Sequence, residues 1–358
     1  MKITFPHFGN AHIAFKAAAE SIGFEAVVSP QPNKRTFELG IKHSPEFICL
    51  PFKLNMGNLI LALDSGAQAV AYAAGVGPCR FGYYGEGISG ILKDKGYNFE
   101  MFKLEQRNIM QVYLRLKKAY KGKFYFYNFI RGFILFWQKA KLVAIAEKLK
   151  RKIMPCEVKR GETQRVFQEC LDLIDRTKTV RGNFKIKKEI KARFKRVIKD
   201  RTRKPLKIGL VGEIYLLLES YVNMDIEQYL NKLGCEVHNE LSLYKWLKYI
   251  FKVDIFGKRA FRNLRKIARP YLSANAGGEA QNNIGSTILY SKEGYDGVIH
   301  IYPFTCMPGL VAHTILEKVS KDYNIPVFNY SIDEHTGREG FYTRLEAFVD
   351  LLKKRRES

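Results

Sequence analysis

Short apolar runs typical of buried β-strands alternate with segments of helical apolar spacing, and this happens in two separate stretches of the chain. In the first stretch the strand-like runs are 2–5, 25–29, 69–73 and 99–104. In the second stretch they are 207–213, 235–238, 296–302 and 325–330. Strands that are separated by helices pair in parallel and are covered by those helices. The sequence therefore predicts an α/β fold with two Rossmann-like, doubly wound parallel-sheet domains.

The segment between the two stretches has a different pattern. Charged residues recur there at helical periods, and strand signals are scarce. Its last third, residues 185–198, is a basic amphipathic helix whose apolar stripe is Ile186, Ile190, Phe194 and Val197. Pro205 then marks a boundary. We predict an N-terminal α/β domain over 1–105, a basic helical insertion over 106–204, and a C-terminal α/β domain over 205–358.

The charge of the chain is strongly positive and unevenly distributed. Sixty Lys and Arg oppose 35 Asp and Glu, and residues 148–207 alone hold 22 basic against 7 acidic side chains. Such an excess indicates an acidic partner, a polyphosphate ligand or nucleic acid. Nucleic acid is disfavoured, because only Phe184 and Phe194 supply aromatic rings for base stacking near the basic helix.

Targeting signals and cysteine usage indicate a cytoplasmic protein. The sequence opens directly in strand-like residues, without the apolar core of a secretory signal. Its most apolar segment, 124–146, is interrupted by polar side chains, so we predict an interface helix and no membrane span; the interruptions are Arg131, Gln138, Lys139 and Lys141. Six cysteines in a long chain of this kind favour reduced thiols or metal ligands over a disulfide framework.

Three of the cysteines lie in loops beside proline, just before predicted helices. Cys79 follows the strand at 69–73, and Cys306 follows the strand at 296–302. Ligands of open α/β sheets bind at the carboxyl ends of the strands. We therefore expect Cys79 and Cys306 to meet across a cleft between the two domains. Cys49 has the same loop context, and a helix N-terminus stabilises anionic sulfur.

Three thiolates suit more than one kind of site. One interpretation is a [4Fe–4S] cluster with one iron open, and another is a zinc ion completed by a histidine. The absence of a CxxC pair disfavours structural zinc. Buried thiols without a metal are the third interpretation. The other cysteines, Cys156, Cys170 and Cys235, have contexts that favour structural roles.

Six segments carry a family resemblance: TFPHFGN at 4–10, SPEFICLPFK at 44–53, GPCRFGYYGE at 77–86, VGEIY at 211–215, PFTCMP at 303–308 and DEHTG at 333–337. They resemble the 2-hydroxyacyl-CoA dehydratase and benzoyl-CoA reductase superfamily. The similarity is greatest to its CoA-dehydratase activase-related branch, which is kin to the double-cubane cluster proteins. It covers both predicted α/β domains. It implies that Cys49, Cys79 and Cys306 bind one [4Fe–4S] cluster.

The resemblance also implies partners. In this superfamily an ATP-dependent activase of actin/Hsp70-like fold, itself reduced by a ferredoxin or flavodoxin, delivers electrons of low potential. The acceptor is a homo- or heterodimer that reduces or dehydrates an acyl-CoA or another small substrate. ATP is expected to bind elsewhere than in this chain, because the Gly-rich segment 273–285 lacks the Lys-Ser/Thr end of a phosphate loop. That segment is either an anion-binding loop or a plain connection.

Polar residues near the cysteines and strand ends are candidates for catalysis. Glu46, Arg80, Tyr84 and Glu86 flank the cysteines, where they would orient substrate, transfer a proton or bond cluster sulfurs, or simply cap loops.

His335, next to Asp333 and Glu334, is an acid/base candidate or part of a salt-bridged surface loop. His7 has a similar status, whereas His300, within a predicted strand, is predicted to be a hydrogen-bonded core or interface histidine.

The predicted function is thus that of an oxygen-sensitive iron–sulfur reductase or radical dehydratase component. The alternative is a non-catalytic iron–sulfur protein that transfers electrons within, or helps to assemble, a larger complex. In that alternative the basic insertion would be the docking face and the cluster would be shielded.

Overall fold

The computed structural model of the chain describes residues 1–74, 78–105, 109–120, 124–239, 242–250 and 255–358. Within these ranges the chain forms eight β-strands in two four-stranded sheets. Residues 75–77, which the sequence links to Cys79, and residues 106–108, where the predicted insertion begins, lie outside the described residues.

The first sheet is parallel throughout, with strand order β2-β1-β3-β4. Its strands are β1 (Lys2–Thr4), β2 (Glu25–Ala26), β3 (Ala69–Ala74) and β4 (Glu100–Glu105). Its helices are α1 (His12–Ile22), α2 (Lys34–His43), α3 (Leu50–Asp64) and α4 (Tyr84–Asp94), with a 3₁₀ turn at Arg80–Tyr83. Apolar side chains of α3, β3 and α4 form one core cluster, which includes Met56, Leu59, Val70, Ile88 and Leu92.

The second sheet repeats this topology with strand order β6-β5-β7-β8, again all parallel. Its strands are β5 (Leu206–Gly212), β6 (Cys235–Asn239), β7 (Gly297–Pro303) and β8 (Val327–Ile332). Its helices are α9 (Ile214–Leu218), α10 (Ile226–Lys232), α11 (Leu243–Ile250), α12 (Ile255–Ala268), α13 (Ala280–Lys292), α14 (Met307–Asp322) and α15 (Arg338–Glu357). Both sheets therefore change winding direction between their first and third strands, which is where such folds bind ligands.

The segment between the two sheets is helical, as predicted. It contains α5 (Ile109–Ala119), α6 (Phe126–Ile153), a 3₁₀ turn at Met154–Cys156, α7 (Glu162–Arg176) and α8 (Val180–Arg196). By residue contacts the chain divides into two compact units. The first unit is Met1–Val143 with Leu171–Lys187, and the second is Ala144–Cys170 with Lys188–Ser358. The limits predicted for a separate insertion, 106 and 204, stay predictions.

Helices α2 and α3 pack with their backbones almost in contact. A Cβ atom on Gly40 would lie 1.9 Å from the Lys53 carbonyl oxygen, and one on Gly57 would lie 1.9 Å from the Thr36 carbonyl oxygen. Only glycine permits so close an approach. The crossing fixes the start of α3 and therefore the position of Cys49, the residue just before it.

The predicted fold class is confirmed, since the molecule is a mixed α/β protein with two parallel sheets flanked by helices. One local prediction is right only in part. The sequence predicts a loop over 273–285, and residues 273–279 do lie outside helices and strands, but α13 begins at Ala280 and includes Asn282, Asn283 and Gly285. Helix α2 was not predicted from the sequence.

Candidate functional site

Cys49 occupies the N-cap of α3, with Pro51 in the first turn of the helix. Helix α3 leads into β3, and a helix that feeds a parallel strand starts at the carboxyl edge of the sheet. Cys49 is therefore at the ligand-binding edge of the first sheet. Its side chain is 7% exposed.

Cys79 lies at the same edge, after β3, where it caps the 3₁₀ turn. The next residue, Arg80, joins it to the Cys49 segment. The Arg80 guanidinium donates one hydrogen bond to Cys49 Sγ at 2.9 Å and another to the Phe47 carbonyl oxygen at 3.1 Å. Two cysteine loops that are 30 residues apart in sequence are thus held together by one positively charged side chain.

Among the remaining candidates of the first unit, Tyr84 belongs to the same core cluster as Cys49. Tyr84 is buried in the core, where its ring packs edge-on against Phe52 at 5.2 Å. Glu86, on the first turn of α4, forms an ion pair with Lys103 of β4. Glu46 is exposed in the turn before Cys49. Catalytic roles for Tyr84, Glu86 and Glu46 stay predictions.

Histidines follow β1 at this edge. His7 is 5% exposed, and its ring stacks on His12 with centroids 5.1 Å apart. The Nδ1 atom of His12 lies 2.8 Å from the Gly9 carbonyl oxygen. This contact fixes the ring of His12 at the start of α1, so His7 is held between a strand end and a helix.

Cys306 occupies the same place in the second unit that Cys79 occupies in the first. It follows β7, the third strand of its sheet, and caps α14, with Pro308 in the first turn. Its backbone N–H donates to the Pro303 carbonyl oxygen at 2.8 Å, which closes a tight turn. The expectation that each of the three cysteines immediately precedes a helix is therefore confirmed, although the helix after Cys79 is a 3₁₀ turn.

The turn 333–337 lies beside Cys306, because it follows the neighbouring strand β8. The Asp333 carboxylate accepts hydrogen bonds from the His335 backbone N–H at 3.0 Å and from the Thr336 hydroxyl at 2.8 Å. These bonds shape the turn. The His335 side chain is exposed, and its acid/base role stays a prediction.

Two carboxyl groups at the edge of the second sheet were not among the predicted site residues. Glu213 follows β5 and caps α9, where its Oε2 accepts from the Leu216 N–H at 3.1 Å. Glu279 caps α13, and its Oε2 accepts from Asn282 Nδ2. Burial raises the pKa of Glu213 to about 7, against hydrogen bonds that lower it, and the negative charge of Glu279 raises it further. Burial also raises the pKa of Glu279.

The position of Glu279 has a counterpart in the first unit. Helix α13 leads into the third strand of its sheet, as α3 does in the first, so Glu279 corresponds to Cys49. The loop before Glu279 also approaches the Cys306 helix, because a Cβ atom on Gly278 would lie 3.1 Å from Pro308. A sequence signal for Glu213 exists: it is an acidic residue inside the apolar run 208–218.

The other three cysteines have the properties of structural thiols. Burial raises the pKa of Cys170 on α7 to about 11 and that of Cys235 on β6 to about 12. Burial likewise raises the pKa of Cys156, in the 3₁₀ turn after α6. A thiol that resists ionisation is a poor metal ligand.

His300 is a core histidine, as predicted. It is fully buried in β7, its Nδ1 lies 2.9 Å from Asn329 Oδ1, and its ring stacks on Tyr302. Burial lowers the pKa of His300 to about 4. The ring is therefore neutral at physiological pH.

The donor chemistry of the three cysteines fits an iron–sulfur cluster, but the described side chains are not gathered into a metal site. Among the residues that the structure describes, no group of three or more His, Cys, Asp or Glu side chains is arranged to hold a metal ion. In favour of a cluster, all three thiols lie at sheet edges, directly before a helix or 3₁₀ turn, and Arg80 donates to one of them.

The fold and these edges define an α/β protein of two Rossmann-like parallel-sheet units, each with cysteine at its ligand-binding edge. No protein-family model matches the sequence, and no curated protein matches it either. None of the helices in the described part of the chain is long and apolar enough to cross a membrane.

Proposed function

We propose that the chain is an iron–sulfur protein that binds one [4Fe–4S] cluster through Cys49, Cys79 and Cys306. The observation that carries the proposal is the repeated position of the thiols: Cys79 and Cys306 both follow the third strand of a sheet and cap a helical turn. Arg80 adds Cys49 to this arrangement. Hydrogen bonds to cluster sulfurs are a recognised means of tuning cluster potential.

As to activity, we propose a component of the 2-hydroxyacyl-CoA dehydratase type, which takes electrons of low potential from an ATP-dependent activase for a reduction or a radical dehydration. When bound, the cluster would supply single electrons. The protein's own groups would handle protons. Glu213 suits that task, because a carboxyl group with a pKa near 7 exchanges protons readily at neutral pH. Burial also raises the pKa of Glu279, whose charge acts on Glu213.

Large apolar side chains surround the cysteine edges and agree with a role in docking. Phe47 and Tyr83 are exposed beside Cys49 and Cys79 in the first unit. Phe304, Met307 and Leu310 are exposed beside Cys306 in the second. Exposed apolar groups of this size are typical of binding surfaces.

The proposal is tested by iron and acid-labile sulfide analysis of anaerobically purified protein. We expect about four irons per chain in the wild type, and loss of most of the iron in Cys49→Ser, Cys79→Ser and Cys306→Ser. Cys156→Ser is the matched control, since this half-buried thiol is the last residue of a 3₁₀ turn. Protein that stays colourless and iron-free after anaerobic reconstitution would refute the proposal.

A further inference from the structure

The first unit carries an exposed apolar surface formed by α5 and the start of α6. Its members are large side chains that point into solvent: Met110, Leu114, Tyr125, Phe126, Tyr127, Ile130 and Ile134. We call this set the aromatic face. All seven belong to the described ranges 109–120 and 124–143 of the first unit.

The aromatic face has regular helical spacing. Met110 and Leu114 are four residues apart on α5, and Phe126, Ile130 and Ile134 recur every four residues on α6. Side chains at this spacing share one side of a helix. The apolar groups therefore form continuous stripes, whereas single exposed apolar residues are common on any surface.

The aromatic face rests on a well-packed base. The Tyr113 ring contacts the rings of Phe124 at 5.5 Å, Phe126 at 5.1 Å and Phe129 at 5.3 Å. Phe129 in turn is buried in the core that covers one side of the first sheet. These contacts tie α5 to α6, so the exposed stripes are held side by side.

Along the sequence of α5 and the first part of α6, the charged residues are of one sign. Between Glu105 and Glu147 the sequence has no Asp or Glu and nine basic residues: Arg107, Arg115, Lys117, Lys118, Lys121, Lys123, Arg131, Lys139 and Lys141. Of these, Arg115, Lys117 and Lys118 are exposed on α5 itself. An apolar stripe of aromatic and aliphatic groups with a basic rim is the composition of helices that lie in the interface of an anionic bilayer.

We propose that the aromatic face binds the surface of a membrane that contains anionic lipids, with α5 and the start of α6 lying in the headgroup region. Two other occupants fit less well. A second copy of this chain would bring like charges together, since each carries a net charge of +25. Nucleic acid would use aromatic rings for stacking, but Met110, Leu114, Ile130 and Ile134 cannot stack on bases.

The test is sedimentation of the full chain with vesicles of phosphatidylcholine alone, or of phosphatidylcholine mixed with phosphatidylglycerol. We expect binding to the mixed vesicles only. Ile130→Ser and Ile134→Ser should each weaken it about tenfold, because each removes an apolar side chain from the interface. Lys117→Gln and Lys118→Gln should each weaken it about fivefold, through the lost attraction to anionic lipid.

The matched control is Ile198→Ser, which removes an even more exposed isoleucine (67%, against 38% for Ile130 and 40% for Ile134) among basic residues of the second unit. It should bind vesicles like the wild type. The substituted side chains are exposed, so thermal melting should show that every variant folds. The proposal is overturned if the wild type does not bind the mixed vesicles, or if Ile130→Ser and Ile134→Ser bind as well as Ile198→Ser does.

Two further measurements test the alternative partners, a second copy of the chain and nucleic acid. Sedimentation equilibrium without lipid would reveal a dimer that Ile130→Ser abolishes, and a gel shift would reveal an oligonucleotide complex with the same sensitivity. Either result without vesicle binding would replace the lipid by that partner. None of these readouts depends on iron, so they are independent of the proposed cluster.

Discussion

At the scale of single residues, the carboxyl group of Glu213 makes the stability of the fold depend on pH. Its folded pKa of about 7 lies above the ordinary value of 4.5. Between these values the folded chain holds a proton that the unfolded chain has released. The contribution of Glu213 to stability is therefore fully present below about pH 4.5 and is lost as the pH rises to about 7.

We expect Glu213→Gln to remove this pH dependence. Above pH 7 the variant should be more stable than the wild type by up to roughly 3 kcal/mol, reduced by the partial exposure of the side chain. Urea unfolding at a series of pH values measures the free energy of unfolding of both proteins. The difference between the two free energies isolates the contribution of Glu213. An equal pH slope in both proteins would contradict the assignment.

The contribution of His300 to stability depends on pH in the opposite direction. Its folded pKa of about 4 lies below the ordinary value of 6.5, so its contribution to stability is present above pH 6.5 and is lost as the pH falls to about 4. We expect the His300 ring signals in an NMR titration to stay those of neutral imidazole until the pH approaches 4. A transition of the folded protein near pH 6.5 would show that the ring is accessible to water.

The cysteines differ in how they should react. Cys170 and Cys235 are fully buried, with pKa values raised to about 11 and about 12. Because only the thiolate is alkylated, we expect iodoacetamide to modify neither in the folded protein and both after unfolding. Peptide mass spectrometry measures this, and modification of Cys170 at the same rate in both states would contradict the prediction.

At the scale of secondary-structure elements, the crossing of α2 and α3 is the most sensitive contact. Gly40→Ala or Gly57→Ala would place a methyl group 1.9 Å from a carbonyl oxygen of the other helix. We expect each to cost roughly 3 kcal/mol or more, since overpacked backbone contacts cannot relax locally. Gly90→Ala on α4 is the control, because no atom lies within 4 Å of its Cβ.

Urea unfolding measures these changes. Gly90→Ala should be neutral or slightly stabilising, as expected when alanine replaces an exposed helical glycine. Because Cys49 immediately precedes α3, the Gly40 and Gly57 variants should also lose iron if the cluster is present. Wild-type stability in Gly57→Ala would mean that the helices are further apart than described.

The sequence predicts the strands well and some helices poorly, for a physical reason. Each strand is a short apolar run set by local burial, and all eight predicted strands are found within a few residues of their expected limits. The sequence predicts a loop at the start of α13, because Gly and Asn have low helix propensity. Its Gly285 serves tertiary packing instead: a Cβ atom there would lie 2.2 Å from the Leu264 carbonyl oxygen of α12.

The residues of the candidate site likewise divide into those that local sequence predicts and those that only the fold reveals. The cysteines could be found because proline and strand ends mark their loops, and Arg80 because it adjoins Cys79. Glu279 could not be found, because its topological correspondence to Cys49 becomes visible only when the strand orders of the two sheets are compared. The catalytic role of Tyr84 stays a prediction, and its burial depends on long-range packing against Phe52 that no local pattern predicts.

At the scale of the whole molecule, the first unit depends on a segment far along the chain. Leu171–Lys187 is attached to it by several polar contacts. Lys16 pairs with Asp175 at 2.8 Å, Lys139 donates to the Asp175 carbonyl oxygen at 2.9 Å, and Asn183 donates to Gln138 at 2.9 Å.

We therefore expect a fragment of residues 1–143 to lack a cooperative thermal transition. The control is the same fragment joined through a flexible Gly-Ser linker to residues 171–187, which should recover the transition. Circular dichroism measures both. A cooperative melt of the shorter fragment, at the same temperature as the longer one, would show that 171–187 is dispensable.

The chain passes between the two compact units at 143/144, 170/171 and 187/188, each time inside a helix. During synthesis the ribosome releases the chain from its N-terminus, so the first sheet emerges long before residue 187 does. Until residues 171–187 have been synthesised, the nascent first unit is incomplete and its apolar surfaces stay exposed to solvent. In the cell this waiting period makes the chain a client for chaperones, and slow translation across 144–187 would lengthen it.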